Sequence, residues 1–556
     1  MHTLRRFVPT LSVIALAACN LPGSEPGGCG GGAASETDLG PGKAAAVTGA
    51  SVCIPGSTSG ASYSLVAFNS VATGGTSATV TIQGSGIVGS GGPVTSQREG
   101  FDQRESLVYP APRRSDAFDA VLRSRESRVL TPRMASARRW SAERPSGGFN
   151  SASAPMAVGD PVQLNANTEE SCSSPEMHNG TVEAIGTYGI AISDNANPPG
   201  GYTRLDYQSL AAQFDTLIYP LVTSTFGTPS DIDTNGKVIL FFTRAVNELT
   251  PPNVEFFVGG FFFARDLFPT TGSPGMAPCA GSNVGEMFYL LVPDPLWTVN
   301  GNTRSKSFVS GEAPALLAHE FQHLVNASRR LYVNTTAEEF EETWLDEGLS
   351  HSSEELLFYR QSGLSPRSNL GPDNLRASNT ILNAFNNDIA GDFGSLIEFL
   401  KSPDGNSPYA GHDSLPTRGS SWSFLRFAVD QKASSDGNTW FQLTNSIVTG
   451  RATLTGVFGA DVPGLYRRWA AALVADDVSG SEAEYQHKSW QYRSVIKALN
   501  NGVYPLKITR PAAGVPSTVT LVAGGSAYFE FGVGSAAATI SVTAPVGTLF
   551  TLVRTN

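Results

Sequence analysis

Apolar and polar residues alternate with period two at both ends of the chain. Near the start, residues 62–68 and 78–82 read as short strands between Gly-rich turns, and residues 518–522, 527–531 and 539–542 do the same near the end. This predicts a small β module over 44–95 and a second, sandwich-like module over 505–556. Between them the pattern is mixed. Residues 181–185, 189–192, 238–242, 255–263 and 286–292 are apolar runs of strand length, whereas 207–223, 421–431, 440–449 and 463–476 carry apolar residues at helical spacing. Residues 156–504 are therefore expected to form one α+β domain. One of the strands at 255–263 and 286–292 should form the edge of a cleft, where an extended peptide could add as a further strand.

The N-terminal pattern is different again. His2, Arg5 and Arg6 precede an apolar run over 7–18, which is shorter than the roughly 20 residues of a membrane-spanning helix and reads as an export signal. It ends Leu16-Ala17-Ala18-Cys19, which resembles the bacterial lipobox. The resemblance implies cleavage after residue 18 and a lipid on Cys19, hence a bacterial lipoprotein at the outer membrane or cell surface. The alternative is an ordinary signal and a secreted protein. Residues 19–43 are rich in Gly, Pro and Ser and read as a flexible tether. Over 96–155 the charge changes sign, with eleven Arg against seven Asp or Glu between Arg98 and Arg144. This stretch reads as a linker or pro-segment. Phe118, Val121, Leu122, Val129 and Leu130 could line one helix face there, and Arg113 with Arg114 and Arg138 with Arg139 offer processing sites. A surface arm packing its charge on an acidic domain fits equally.

Composition refines the picture in two respects. A net charge of −11 argues against nucleic acid as a partner. Setting Cys19 aside leaves Cys29, Cys53, Cys172 and Cys279, an even set in a compartment that permits disulfides. Of the three possible pairings, Cys172 with Cys279 is favoured because both fall within 156–504.

The chemistry concentrates in His319-Glu320-Phe321-Gln322-His323. Residues four apart share a helix face, so His319 and His323 can offer one imidazole nitrogen each to a single Zn2+ ion, with Glu320 beside them as a general base. Histidine is scarce, seven in 556 residues, and Leu316, Leu317, Phe321, Leu324 and Val325 make the segment an apolar helix whose polar groups need partners. A catalytic zinc site usually takes a third protein ligand. Thr335 and Thr336, each three residues ahead of a glutamate, suggest a helix start before a very acidic run. Glu338, Glu339, Glu341, Glu342 and Glu347 all compete for the role, and spacing does not choose. His351 is a further rival, or a group that orients a ligand or substrate. Donors to an oxyanion could come from Tyr409, His412 or Arg418, in a loop expected to precede a helix near Ser420. Separately, Asp231-Ile232-Asp233-Thr234-Asn235-Gly236 opens like a calcium loop. Phe242 stands where a bidentate Glu is required, so an EF-hand is excluded, and an Asx-type turn or a nonstandard calcium site remains.

HEFQH followed by Trp344-Leu345-Asp346-Glu347-Gly348 resembles the gluzincin peptidases. The blocks HEFQHLVNASRRLYVN, EETWLDEGLSHSSEELLFYR, DIDTNGKVILFFT and GEMFYLLVPDP resemble the hyicolysin-type neutral metallopeptidase family over roughly 158–506. The resemblance implies a zincin-like domain and a His319, His323, Glu347 zinc site. The ligand spacing of the aminopeptidase branch would land on Glu342 instead. Context outweighs the count, because loop insertions cost little. The expected function is an exported zinc metalloendopeptidase acting on proteins or peptides. A zinc aminopeptidase, or a non-catalytic surface adhesin or binding lipoprotein with a structural zinc, are the alternatives.

Overall fold

The computed structural model describes residues 29, 35–94, 107, 113–143 and 156–556, apart from 73, 90, 91, 115, 116, 170, 171, 255 and 273–276. The export signal, Cys19 and most of the tether lie outside the described residues. Among the described residues no helix is long and apolar enough to cross a membrane.

The strand-rich ends form one body. Ala61–Asn69 lies antiparallel between Ser526–Val533 and Thr548–Arg554, and Ala78–Ser85 lies antiparallel between Ser517–Leu521 and Ala538–Thr543. The two sheets enclose a core that includes Leu65, Ile82, Phe529, Ile540 and Leu552. Periodicity predicts two modules; the structure joins them for a physical reason. Ala78–Ser85 buries Val80 and Ile82 and exposes Thr79 and Gln83, so each stretch brings a one-sided apolar face that the other end of the chain covers. The sandwich also begins ahead of residue 44. Ser35–Glu36 pairs with Ser51–Ile54, and Leu39 is buried, which draws the last part of the expected tether into the fold.

The intervening body is mixed α+β. Its six-stranded sheet runs Gly260–Phe262, Met287–Leu290, Val238–Phe242, Gly189–Asp194, Met177–Ile185, Pro161–Asn165. Val238–Phe242 is parallel to both neighbours and buried at every residue, as a strand covered on both faces should be. The expected strand at 255–263 is interrupted. Phe256–Phe257 turns away to pair with Arg113–Arg114, and Gly260–Phe262 continues as the sheet edge. A Cβ at Gly260 would lie 2.5 Å from the Tyr289 carbonyl oxygen, so that close approach requires glycine. The loop at Asp231 closes on itself: Asp231 accepts from Gly236 N–H and Asp233 from Asn235 N–H. Across from it, Glu286 accepts from Ser230 Oγ and Ile232 N.

Three helices carry the residues of the candidate site. Lys306–Tyr332 begins at Ser305, whose hydroxyl accepts from Phe308 N–H, and is buried over its whole second half apart from its last residue. Thr343–Ser362 packs beside it, and Leu415–Lys432 packs against Thr343–Ser362 in turn. The helix start expected at Thr335 is absent. Glu341 accepts from Arg330 and from Gly450 N–H, and Glu342 from Trp344 Nε1, so tertiary partners hold residues 335–342 as an irregular connection. The third helix starts earlier than expected, because Ser414 caps it and Pro416 suits its first turn. The run expected at 440–449 is helical only over Thr439–Thr444.

Cys172 is joined to Cys279, and Cys29 to Cys53. Within the Arg-rich stretch, helices Ala117–Val129 and Met134–Ala142 lie on the α+β body, with Leu122, Leu130, Met134 and Ala137 in its core.

Candidate metal centre

His319 and His323 sit one turn apart in the buried half of their helix, with Nε2 atoms 3.2 Å from each other. Glu347 enters from the first turn or so of the next helix. Its Oε2 lies 3.5 Å from His319 Nε2 and its Oε1 3.6 Å from His323 Nε2. Both carboxylate oxygens are fully buried and accept no hydrogen bond from the described residues. An anionic group in that state is costly unless cations meet it, and Arg418 Nη2, 3.4 Å from Oε2, is one such cation.

Each imidazole is oriented from behind. His319 Nδ1 donates to Glu354 Oε1 at 2.6 Å, and His323 Nδ1 to Asp346 Oδ2 at 2.7 Å. With the proton on Nδ1, the Nε2 lone pairs face the Glu347 oxygens. Asp346 is held in turn by Asn326 Nδ2 at 2.6 Å. Burial opposes charge on His319, but the flanking carboxylates of Glu347 and Glu354 prevail and push it up to about 10, so a metal binding at Nε2 displaces a proton there. Against burial, Arg418 and then the two imidazoles hold Glu347 well below the usual carboxylate range. The pocket is thus arranged to retain positive charge among carboxylates. Two nitrogens, one carboxylate that accepts no hydrogen bond and a fixed tautomer fit a divalent metal of the zinc type.

Glu320 faces the sheet edge, where its Oε2 accepts from Phe262 N–H at 2.7 Å. Of the five competing carboxylates, Glu347 alone stands at the imidazoles. Glu338 and Glu339 are exposed, and Glu341 and Glu342 have the partners described above. His351 stands behind His319, with Nδ1 2.7 Å from Asp392 Oδ1 and 3.5 Å from Glu354 Oε1. Tyr409 lies away from the centre: its hydroxyl donates to the carbonyls of Asn69 and Val71 in the sandwich. His412 is exposed on the loop beyond it. Arg418 belongs to the helix rather than the loop. Its Nη2 lies 3.0 Å from Asp119 Oδ2 and 3.4 Å from Glu347 Oε2, and its Nε donates to Asp413 Oδ1 at 2.8 Å.

Three groups at the centre escaped the sequence reading. Asp346 and Glu354 flank Glu347 on its own helix, and the spacing Glu347, His351, Glu354 marks one helix face, a signal that was available. Asp119 had none, because it lies far away in the Arg-rich stretch. Burial pushes its carboxyl up to about 7, against the pull of Arg418 and with the push of Glu347 and Glu320. A cavity of about 220 Å³ remains beside His323, lined also by Arg123, Glu126, Phe262, Trp344 and Asp346.

An α+β body with two imidazoles and a carboxylate gathered under a sheet edge suits a metal-dependent hydrolase. Among known proteins the chain is similar to the neutral metalloprotease ShpI of Staphylococcus hyicus, 29% identical over 206 residues. The match covers 37% of this chain and 40% of that protein, less than half of either. That likeness supports a metalloprotease in general terms. No protein-family model matches the chain.

Proposed function

We propose that the chain is a zinc metalloendopeptidase with a zincin-like domain of the gluzincin type, acting on proteins or peptides. The observation that carries the reading is the convergence of His319 Nε2, His323 Nε2 and the two Glu347 oxygens, which accept no hydrogen bond from the described residues, beside Glu320. These three side chains would hold the zinc ion. When bound, zinc supplies Lewis acidity, polarising the scissile carbonyl and lowering the pKa of water toward about 7.

The chain's own groups do the remaining work. Glu320 takes the proton of the attacking water on a carboxylate oxygen and passes it to the leaving amine. The Phe262 N–H fixes that carboxylate in place. Glu354 and Asp346 keep the Nδ1 protons on His319 and His323. Arg418 steadies Glu347 through charge. The edge strand Gly260–Phe262 offers backbone groups along which an extended substrate aligns, which favours cleavage within a chain over removal of a terminal residue. The N-terminal signal and Cys19 support export and a lipid tether to a membrane.

Three variants test the reading. Glu320→Gln should keep zinc and lose casein hydrolysis, Glu347→Gln should lose zinc, and Glu342→Gln should keep both. A fully active Glu320→Gln protein would contradict the mechanism. Peptides with blocked N-termini should be cleaved as readily as free ones; strict dependence on a free amine would favour an aminopeptidase.

A further inference from the structure

We propose that the helix Ala117–Val129 of the Arg-rich stretch is an intramolecular inhibitor seated in the substrate cleft, so that the chain in this form is latent; this rests on the peptidase reading of the site.

The argument starts from the sheet edge. An edge strand recruits an extended peptide through its outward-facing N–H and C=O groups. In an extended strand the N–H and C=O of one residue point the same way, and the same side recurs two residues on. Along this edge the outward groups are those of Gly260 and Phe262, followed by Ala264 N. From Phe262 onward they are engaged. Phe262 N–H donates to Glu320, Phe262 O accepts from Arg123 Nη2 at 3.3 Å, and Ala264 N–H donates to Glu126 Oε1 at 2.6 Å. Two of these partners come from the arm helix. They are a buried ion pair, 2.5 Å apart, with side chains 7% exposed, and the Arg123 guanidinium also lies over the Phe262 ring. One turn earlier Phe118 packs on Phe261 of the same strand, with ring centroids 5.4 Å apart.

The helix also reaches the centre itself. Asp119 and Glu347 share one guanidinium nitrogen, Arg418 Nη2. A substrate residue that needs Arg418, or the space beside it, meets the Asp119 carboxylate first. The seat is anchored at both ends. Arg113–Arg114 pairs with Phe256–Phe257, and beyond the helix Arg138 donates to the carbonyls of Arg330 and Leu331 at the end of the histidine helix and of Ala337 in the connection after it. Burying Arg123 and Glu126 against each other and against backbone groups specifies the position of the helix more than it stabilises it. That suits a contact that must be released.

The test uses the full zinc-loaded chain with Asp119→Asn and, separately, Arg123→Ala combined with Glu126→Ala. Two readouts are taken: hydrolysis of an internally quenched peptide, and the rate at which dipicolinate removes zinc, which depends on access and not on turnover. Loss of one or two charged hydrogen bonds from the seat should raise both rates about tenfold or more, with zinc content and melting temperature retained. Asp119→Asn preserves shape and serves if the double variant does not fold. Folded variants with unchanged hydrolysis and unchanged zinc release would overturn the inference while leaving the peptidase reading intact. Faster zinc release with no hydrolysis in any form would support the seated helix and remove the peptidase reading.

Discussion

The two imidazoles are backed by carboxylates in different surroundings. Asp346 has a side chain 13% exposed and is shared with Asn326, whereas Glu354 is 3% exposed and lies within 3.5 Å of His351, itself 2.7 Å from Asp392. Glu354 is therefore the carboxylate whose charge the buried interior depends on more. Changing it to glutamine keeps the shape and removes the charge that holds the His319 Nδ1 proton. Zinc affinity, measured by competition with a chelator, should fall about 10–100-fold in Glu354→Gln. Unchanged affinity would mean that His319 is positioned by packing alone. His351 belongs to the same group of side chains, between Glu354 and Asp392.

At the scale of elements, the site depends on how closely two helices approach. Gly348 follows Glu347, and a Cβ there would lie 2.3 Å from Ser421 Oγ and 2.8 Å from Leu425 Cδ1. Ser421 Oγ donates to Trp344 O at 2.8 Å across the same contact. Gly348→Ala should cost about 1–3 kcal/mol in denaturant unfolding and weaken zinc binding too, because the displaced turn carries Glu347. A loss of stability with normal zinc affinity would show that the turn yields elsewhere. This explains what could be read from the chain and what could not. HEFQH and WLDEG are local patterns, each legible within one or two helical turns, and their residues stand together in the fold. The helix expected at Thr335 fails because its glutamates are bound to Arg330, Gly450 and Trp344, partners that no local pattern contains. Asp119 reaches the centre from a stretch whose charge suggests a linker or a surface arm. Tyr409 stands in a promising loop, yet its hydroxyl is committed to the backbone of another part of the molecule.

At the scale of the whole molecule, the sandwich made from both chain ends braces the α+β body. Tyr409 bonds Asn69 O and Val71 O, Arg451 bonds Ser70 O, and Arg467 bonds Thr551 Oγ1. The loop that follows Tyr409 lines the cavity with Ala410 and Gly411 and then supplies Asp413 to Arg418. The pairing that builds the sandwich joins residues more than 400 positions apart, as Thr81 with Thr518 illustrates, so neither end announces its partner. Fold, brace and arm all converge on the point between His319, His323 and Glu347. X-ray absorption at the zinc edge of the full-length, zinc-loaded chain tests that point most directly. The expected shell is two imidazole nitrogens, carboxylate oxygen from Glu347 and one exchangeable oxygen, with zinc lost in Glu347→Gln. A chain that retains no zinc, or a shell closed by four protein ligands, would contradict the account.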